Sequence, residues 1–228
     1  IARNGSSGAW GTAFGDYGFV PFTSRSRGSA WSHEGENRHA TLRAAGYGTI
    51  VQGSRFWDVN SGSVVAAFPR LHATATATAE PLAAAALEQD GSSDTISVFS
   101  TKTGRTRAAF SSPLVTSASD LQLDTDGSSV VATGRNGVVV WDVDSEKQLF
   151  ELESSDIESA WISPAGEQLA VAIEGDRAAD GMTFRIVRLA DGSNIDIATS
   201  MRSLDRVYWF RASNQIAVFS KRNDTLAV

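Results

Sequence analysis

The sequence predicts an all-β fold made of repeated four-stranded antiparallel units, and three observations carry that reading. A short apolar and aromatic segment recurs about every 42 residues, centred on Trp57, Phe99 and Trp141. Between these centres a second pattern of strand, tight turn and strand recurs over 121–133, 160–173 and 208–219. No window shows apolar residues at a helical period. With 42% hydrophobic and 20% charged residues in 228, the chain can bury a core and has the composition of a folded protein.

The elements follow in chain order. Trp10 to Phe14 and Phe19 to Phe22, joined by Gly15-Asp16-Tyr17-Gly18, read as the closing hairpin of a partial unit over 1–27. A complete unit over 28–68 carries Phe56-Trp57-Asp58-Val59-Asn60-Ser61-Gly62 and then Val64 to Phe68. In the next, 73–110, the alanine-rich stretch from Ala73 to Leu87 is the one place where helix competes. There Thr74, Thr76 and Thr78 alternate with Ala, a period of two that favours strand. That unit closes with Val98 to Gly104 and Arg105 to Phe110.

The unit over 115–152 holds Leu121 to Leu123, the turn Asp124-Thr125-Asp126-Gly127, Ser129 to Thr133, Val140 to Glu146 and Gln148 to Leu152. The unit over 157–198 repeats this around Ser163-Pro164-Ala165-Gly166 and is lengthened by Gly175 to Gly181 between its second and third strands. Residues 204–228 begin one more unit, with Thr225 to Val228 starting a third strand. Short runs rich in Val, Ile, Leu and aromatics, bounded by Asp, Gly, Pro and Ser, are the mark of hairpin-linked strands. Trp57, Trp141 and Trp161 lie inside apolar strands and are expected in the core. Asp58 and Asp142 are expected to accept backbone N–H bonds from the adjoining turn.

Over roughly 28–228 these motifs resemble the WD-repeat β-propellers and their degenerate bacterial relatives. The Trp-Asp dipeptide stands at Trp57-Asp58 and Trp141-Asp142, with Phe99-Ser100 and Val187-Arg188 in the other two units. The Gly-His that precedes the first strand in that family is missing, Leu71-His72 being its closest echo, and with it the buried Asp-His-Ser-Trp network is expected to be lost. The resemblance implies a β-propeller whose blades number strands a to d from the centre outwards. Seven blades at this period need about 290 residues, so the chain is read as part of a larger propeller. In the alternative, the amino-terminal hairpin pairs with residues 204–228 to close a five-bladed ring.

Composition removes several function classes. A net charge of −6, from 20 basic against 26 acidic residues, disfavours direct nucleic-acid binding. The seven Arg against four acids in residues 1–72 do not cluster. The chain has no Cys, hence no disulfide, thiolate nucleophile or Cys-based metal site. The longest apolar run, Pro81 to Leu87, is far short of the roughly 18 residues of a membrane-spanning helix, and no membrane span is expected. Nothing resembling a signal peptide opens the sequence, but it begins at Ile1 and not at Met, so the compartment stays open, with the cytoplasm favoured.

Nor is there a recognisable catalytic motif. His33 and His39 are six apart in a Gly-containing segment, not four apart on a helix face. Asp124-Thr125-Asp126-Gly127 opens like a calcium loop, but Arg135 takes the place of the closing Glu, so a hairpin turn is the better reading. The chain has no Gly-x-Ser-x-Gly elbow and no phosphate-binding Gly-rich loop. No catalytic residue, metal or cofactor is expected.

The function read from this is a non-enzymatic scaffold for protein–protein interaction, a propeller subunit of a larger assembly. The rim formed by the d–a and b–c loops would hold Arg70, His72, Asp94, Arg135, Asn136, Asp156, Arg177 and Asp180. Their mixed charge suits a protein or peptide partner. The alternative is the propeller portion of an enzyme, hydrolase-associated or of the quinone-dependent dehydrogenase kind. Ser163 to Ile173 and Arg188 to Gly192 resemble the former, and the lack of Cys speaks against the latter.

Overall fold

The computed structural model describes residues 7–11, 17–21, 31–33, 42–45, 49–52, 54–58, 61–68, 70–77, 79–89, 93–174, 181–199, 201, 206–210, 215–220 and 225–227. All their regular structure is β-strand, arranged in six antiparallel sheets that follow chain order. The first sheet is β1 (Ser7–Gly11), β2 (Tyr17–Pro21) and β3 (Trp31–His33). The second holds β4 (Leu42–Ala45), β5 (Thr49–Gln52), β6 (Arg55–Asp58) and β7 (Val64–Ala67), and the third β8 (Leu71–Thr76), β9 (Leu82–Gln89), β10 (Ser93–Ser100) and β11 (Thr106–Ser111). The fourth is β12 (Asp120–Leu123), β13 (Ser129–Gly134), β14 (Gly137–Asp142) and β15 (Gln148–Glu153). The fifth is β16 (Ile157–Ile162), β17 (Gln168–Glu174), β18 (Met182–Arg188) and β19 (Asn194–Ala198), and β20 (Arg206–Phe210), β21 (Gln215–Ser220) and β22 (Thr225–Ala227) make the sixth.

These are the blades of a β-propeller: each four-stranded sheet is a meander, and the first strands of successive sheets touch, β8 with β12 and β12 with β16. The alanine-rich stretch is strand, as its period of two requires. Two features differ from the sequence reading. Trp31–His33 pairs with β2, so the second sheet starts at Leu42 and not near residue 28. Among the described residues the amino-terminal hairpin takes β3 as its third strand, and β20 to β22 form a sheet of their own. The lengthened connection at 175–180 lies outside the described residues.

Why the sheets stack is visible along the third strands. In β10 and β14 the position of Phe99 and Trp141 faces the preceding sheet, and the residue before it, Val98 or Val140, faces the following one. Phe99 meets Phe56 of the second sheet edge-on at 4.8 Å between ring centroids and Phe68 at 4.9 Å. Ala83 and Ala85 of β9 lie fully buried in the same cluster, their small side chains making room for the rings. Trp141 stacks on Phe110 of the third sheet at 5.3 Å within the largest core cluster. In the fifth sheet Val187 holds this position, and Phe150 and Leu152 of β15 are only half-buried against it. Trp57 and Trp141 are buried as expected, and Trp161 packs on the cluster between the fifth and sixth sheets.

The hairpin turns explain the second recurring signal. Between β12 and β13, Gly127 takes the left-handed conformation (φ 76°), and between β16 and β17 Gly166 does the same (φ 72°). The turn after the third strand closes with a bond from Gly62 N–H to Asp58 O, Gly104 N–H to Ser100 O and Gly192 N–H to Arg188 O. The left-handed residue there is Gly62, Gly104, Gly192 or, in the fourth sheet, Glu146 (φ 56°). The carboxylates of Asp58 and Asp142 accept the N–H of Ser61 and Ser145, each at 2.7 Å, the capping role expected of them.

A side-chain amide ties the fourth sheet to the fifth. Gln122 on β12 donates to Ala160 O at 2.7 Å and accepts the Ile162 N–H at 3.3 Å, a substitute for a backbone ladder between first strands.

Candidate rim of loops

At one end of the sheets, the turn between the second and third strands of the fourth sheet lies between the loop that precedes β12 and the loop that follows β15. Gly134 and Gly137 flank the two-residue turn Arg135-Asn136 between β13 and β14. A Cβ on Gly134 would stand 2.6 Å from Val115 Cα, so only glycine lets the turn approach the loop that precedes β12 so closely. Across that approach Arg135 N–H donates to Thr116 O at 3.0 Å and Asn136 N–H to Leu114 O at 3.3 Å. Ser154 N–H in turn donates to Asn136 O at 3.0 Å, which adds the loop after β15. The Asn136 amide also donates to Pro113 O at 3.4 Å. With its backbone thus held from both sides, the turn keeps the Arg135 and Asn136 side chains exposed.

Asp156 sits one loop further on and is exposed. Its N–H bonds Ser154 Oγ, its carbonyl accepts Glu174 N–H at 2.8 Å, and its carboxylate accepts the Ser155 hydroxyl at 3.1 Å. Arg70 lies in the turn before β8, exposed, with a left-handed φ of 55°. Arg135, Asn136 and Asp156 are therefore neighbours on one ribbon of loops. Pro113, Leu114, Thr116 and Ser154 belong to the same ribbon and were not singled out in the sequence. Their part is played by backbone groups, which no side-chain motif announces. Arg177 and Asp180 lie outside the described residues.

Asp94 corrects the sequence reading. It is not a rim side chain available to a partner: only 3% exposed, it points inward from the start of β10. Its Oδ2 accepts from His72 Nδ1 at 2.9 Å and from the Ala118 N–H at 2.6 Å. Its own N–H donates to Val115 O at 2.9 Å. A buried carboxylate must be paired, and here the pairing is made by a ring on β8 and by the backbone entering the fourth sheet. The third sheet thus holds a histidine–carboxylate pair, His72 with Asp94, where the sequence reading expected none. His72 itself remains exposed.

At the opposite end of the sheets lies a second buried acid. Asp124 accepts the Ser128 hydroxyl at 2.7 Å and the Ser129 N–H at 3.2 Å. A Cβ on Gly166 of the next sheet would stand 2.5 Å from its Oδ2. Burial pushes the Asp124 carboxyl above its ordinary range, against the lowering effect of those bonds. Beside it the first-to-second-strand turns of three sheets are linked, Ala79 N–H to Thr125 O at 2.6 Å and Thr125 N–H to Pro164 O at 3.1 Å. These contacts are structural: Asp124 to Gly127 is a hairpin turn.

No family model matches the chain, and no curated protein sequence matches it. Solved structures do. Hydrazine synthase of Kuenenia stuttgartiensis aligns with a TM-score of 0.52 and 16% identity over 75% of this chain and 49% of that one. A eukaryotic initiation factor aligns with a TM-score of 0.63 and 10% identity over 86% of this chain and 52% of that one. The chain spans about half the length of each. At such identities the likeness is one of fold, and the fold it supports is the β-propeller.

Proposed function

We propose that this chain is a WD40-like interaction module, a non-enzymatic propeller that binds a protein or peptide partner within a larger assembly. The observation that carries this is the loop ribbon of Arg135, Asn136 and Asp156. Its backbone is bonded from sheet to sheet, while its charged and amide side chains stay in water. Such a surface is pre-organised, so a partner that meets it forfeits little loop entropy on binding. Cation, amide and carboxylate side by side suit the mixed polar surface of a protein better than a phosphate backbone. The Trp-Asp dipeptides with their capped turns, and the His72–Asp94 pair, support the WD-repeat reading of the scaffold.

The test is affinity capture of the protein from its native lysate beside an Arg135→Glu, Asp156→Lys double variant. Both substitutions fall on exposed side chains and should leave the melting temperature unchanged. A stoichiometric partner set captured by the parent and lost in the variant is expected. Equal capture by both proteins would sink the rim assignment.

A further inference from the structure

The loop ribbon carries charge of opposite sign on its two sides. Arg135 stands where the turn between β13 and β14 is bonded to Thr116 O, toward the loop that precedes β12. Beyond Asn136, on the other side, stand Glu153 at the end of β15, Asp156, and Glu174 at the end of β17. The Ser154 N–H bonded to Asn136 O at 3.0 Å and the Glu174 N–H bonded to Asp156 O at 2.8 Å tie these acids to the turn and to one another through their backbones. All four charged side chains are exposed, and among the described residues none of them is in an ion pair.

Elsewhere on the surface opposite charges do close, Arg107 on Asp144 and Arg185 on Asp196. The backbone of the turn keeps Arg135 from following them. A Cβ on Gly137 would stand 2.3 Å from Leu152 O, as one on Gly134 would stand 2.6 Å from Val115 Cα, so the two residues between these glycines are wedged and cannot shift toward the acids. A guanidinium held in water is a fork of donors that fits a carboxylate with two bonds at once. Three neighbouring carboxylates repel one another and draw a cation. Asn136, between the two, can both donate and accept, as a peptide group does.

We propose that the partner of this ribbon is an extended protein segment of split charge, with an Asp or Glu side chain on Arg135, Lys or Arg side chains on Glu153, Asp156 and Glu174, and its backbone across Asn136. The proposal rests on the reading of the ribbon as a binding surface and adds the chemistry of what binds there. A nucleic acid is the poorer fit, because a phosphate chain running on from Arg135 meets three carboxylates.

The probe is a display library of random dodecapeptides, panned on the purified protein and on two charge-reversed variants, Arg135→Glu and Asp156→Lys with Glu174→Lys. On the parent, enriched peptides are expected to carry an acidic residue at a fixed distance from basic ones. On Arg135→Glu the acidic position should turn basic, and on the double variant the basic positions should turn acidic. A consensus peptide from the parent should bind each variant at least tenfold more weakly. Should reversal at Arg135 lower the melting temperature, Arg135→Gln replaces it and should lose the preference for an acid. Peptides that bind the parent and both variants equally overturn the ribbon as a binding surface, and the proposal with it. Peptides that are lost on the variants but show no split of charge leave the ribbon as a binding surface and overturn the proposal alone. An absence of enriched peptides also overturns it, since a short segment is all that it requires.

Discussion

His72 Nδ1 and the Ala118 N–H converge on one oxygen of Asp94, at 2.9 and 2.6 Å, so a single buried carboxylate joins two strands of the third sheet to the entry of the fourth. Both donors lie outside β10, 22 and 24 residues away in sequence. The acid acts as a staple between repeats.

Asp94→Ala should therefore cost about 2–3 kcal/mol, the range for a hydrogen-bonded charge, because the Ala118 N–H is left without its acceptor. His72→Ala should cost less, about 1 kcal/mol, since the ring is solvated and Ala118 keeps its bond. Urea unfolding of the two variants checks the order. Equal midpoints for Asp94→Ala and the parent protein would remove the staple from the account.

Sheet-to-sheet packing should weaken in proportion to what fills the third-strand position. Trp141→Ala empties the seat stacked on Phe110 and should cost about 3–5 kcal/mol. Val187→Ala removes two methyl groups from a contact already half-open and should cost about 2 kcal/mol. Thermal melts of both, at one pH and salt, give the comparison, and a larger loss for Val187→Ala contradicts it.

Asp124 predicts a pH dependence. Its folded value lies above the ordinary 3.8 through burial. The unfolded chain therefore gives up this proton more readily than the folded one. Stability from this group is complete below about pH 3.8 and is lost as pH rises through the raised folded value. Asn at this position can still accept from Ser129 N–H and meet Ser128 without a buried charge. Asp124→Asn should raise the melting temperature at pH 7, and the gain should vanish in acid below the ordinary carboxylate range. A gain that is the same at pH 3 and pH 7 excludes ionisation as its cause.

Left-handed turn positions separate strain from clash. Gly104 and Gly192 share φ near 70°, but a Cβ on Gly104 would run into the Val65 carbonyl of the second sheet, while nothing lies within 4 Å of one on Gly192. Gly192→Ala should cost about 1 kcal/mol, the conformational term alone. Gly104→Ala should cost clearly more. Glu146→Gly relieves the same strain in the fourth sheet and should gain about 0.5–1 kcal/mol. Denaturant midpoints of the three rank them, and a Gly192→Ala loss equal to that of Gly104→Ala refutes the clash.

The 42-residue period was legible because the residues that create it are large, apolar and local to single strands: Phe99 and Trp141 each fill an inter-sheet seat, and Trp57 is buried. The turns were legible for a similar reason, since Gly62, Gly104, Gly127, Gly166 and Gly192 answer a backbone need that few other residues meet. The site was legible only in part. Arg135, Asn136 and Asp156 could be placed on one end by counting strands. That Asp94 turns inward could not, because its partners come from other strands and one of them is a backbone N–H.

By itself the sequence determined the all-β class, the four-stranded antiparallel repeat and its period, because alternation, turn chemistry and repeat length are local properties. Tertiary structure alone decided which sheet Trp31–His33 joins and which acids are buried. Those outcomes depend on what a neighbouring sheet places against each residue. Val187 in the seat that Trp141 fills one sheet earlier shows why: the same register yields a half-open contact when the side chain that should close it is small.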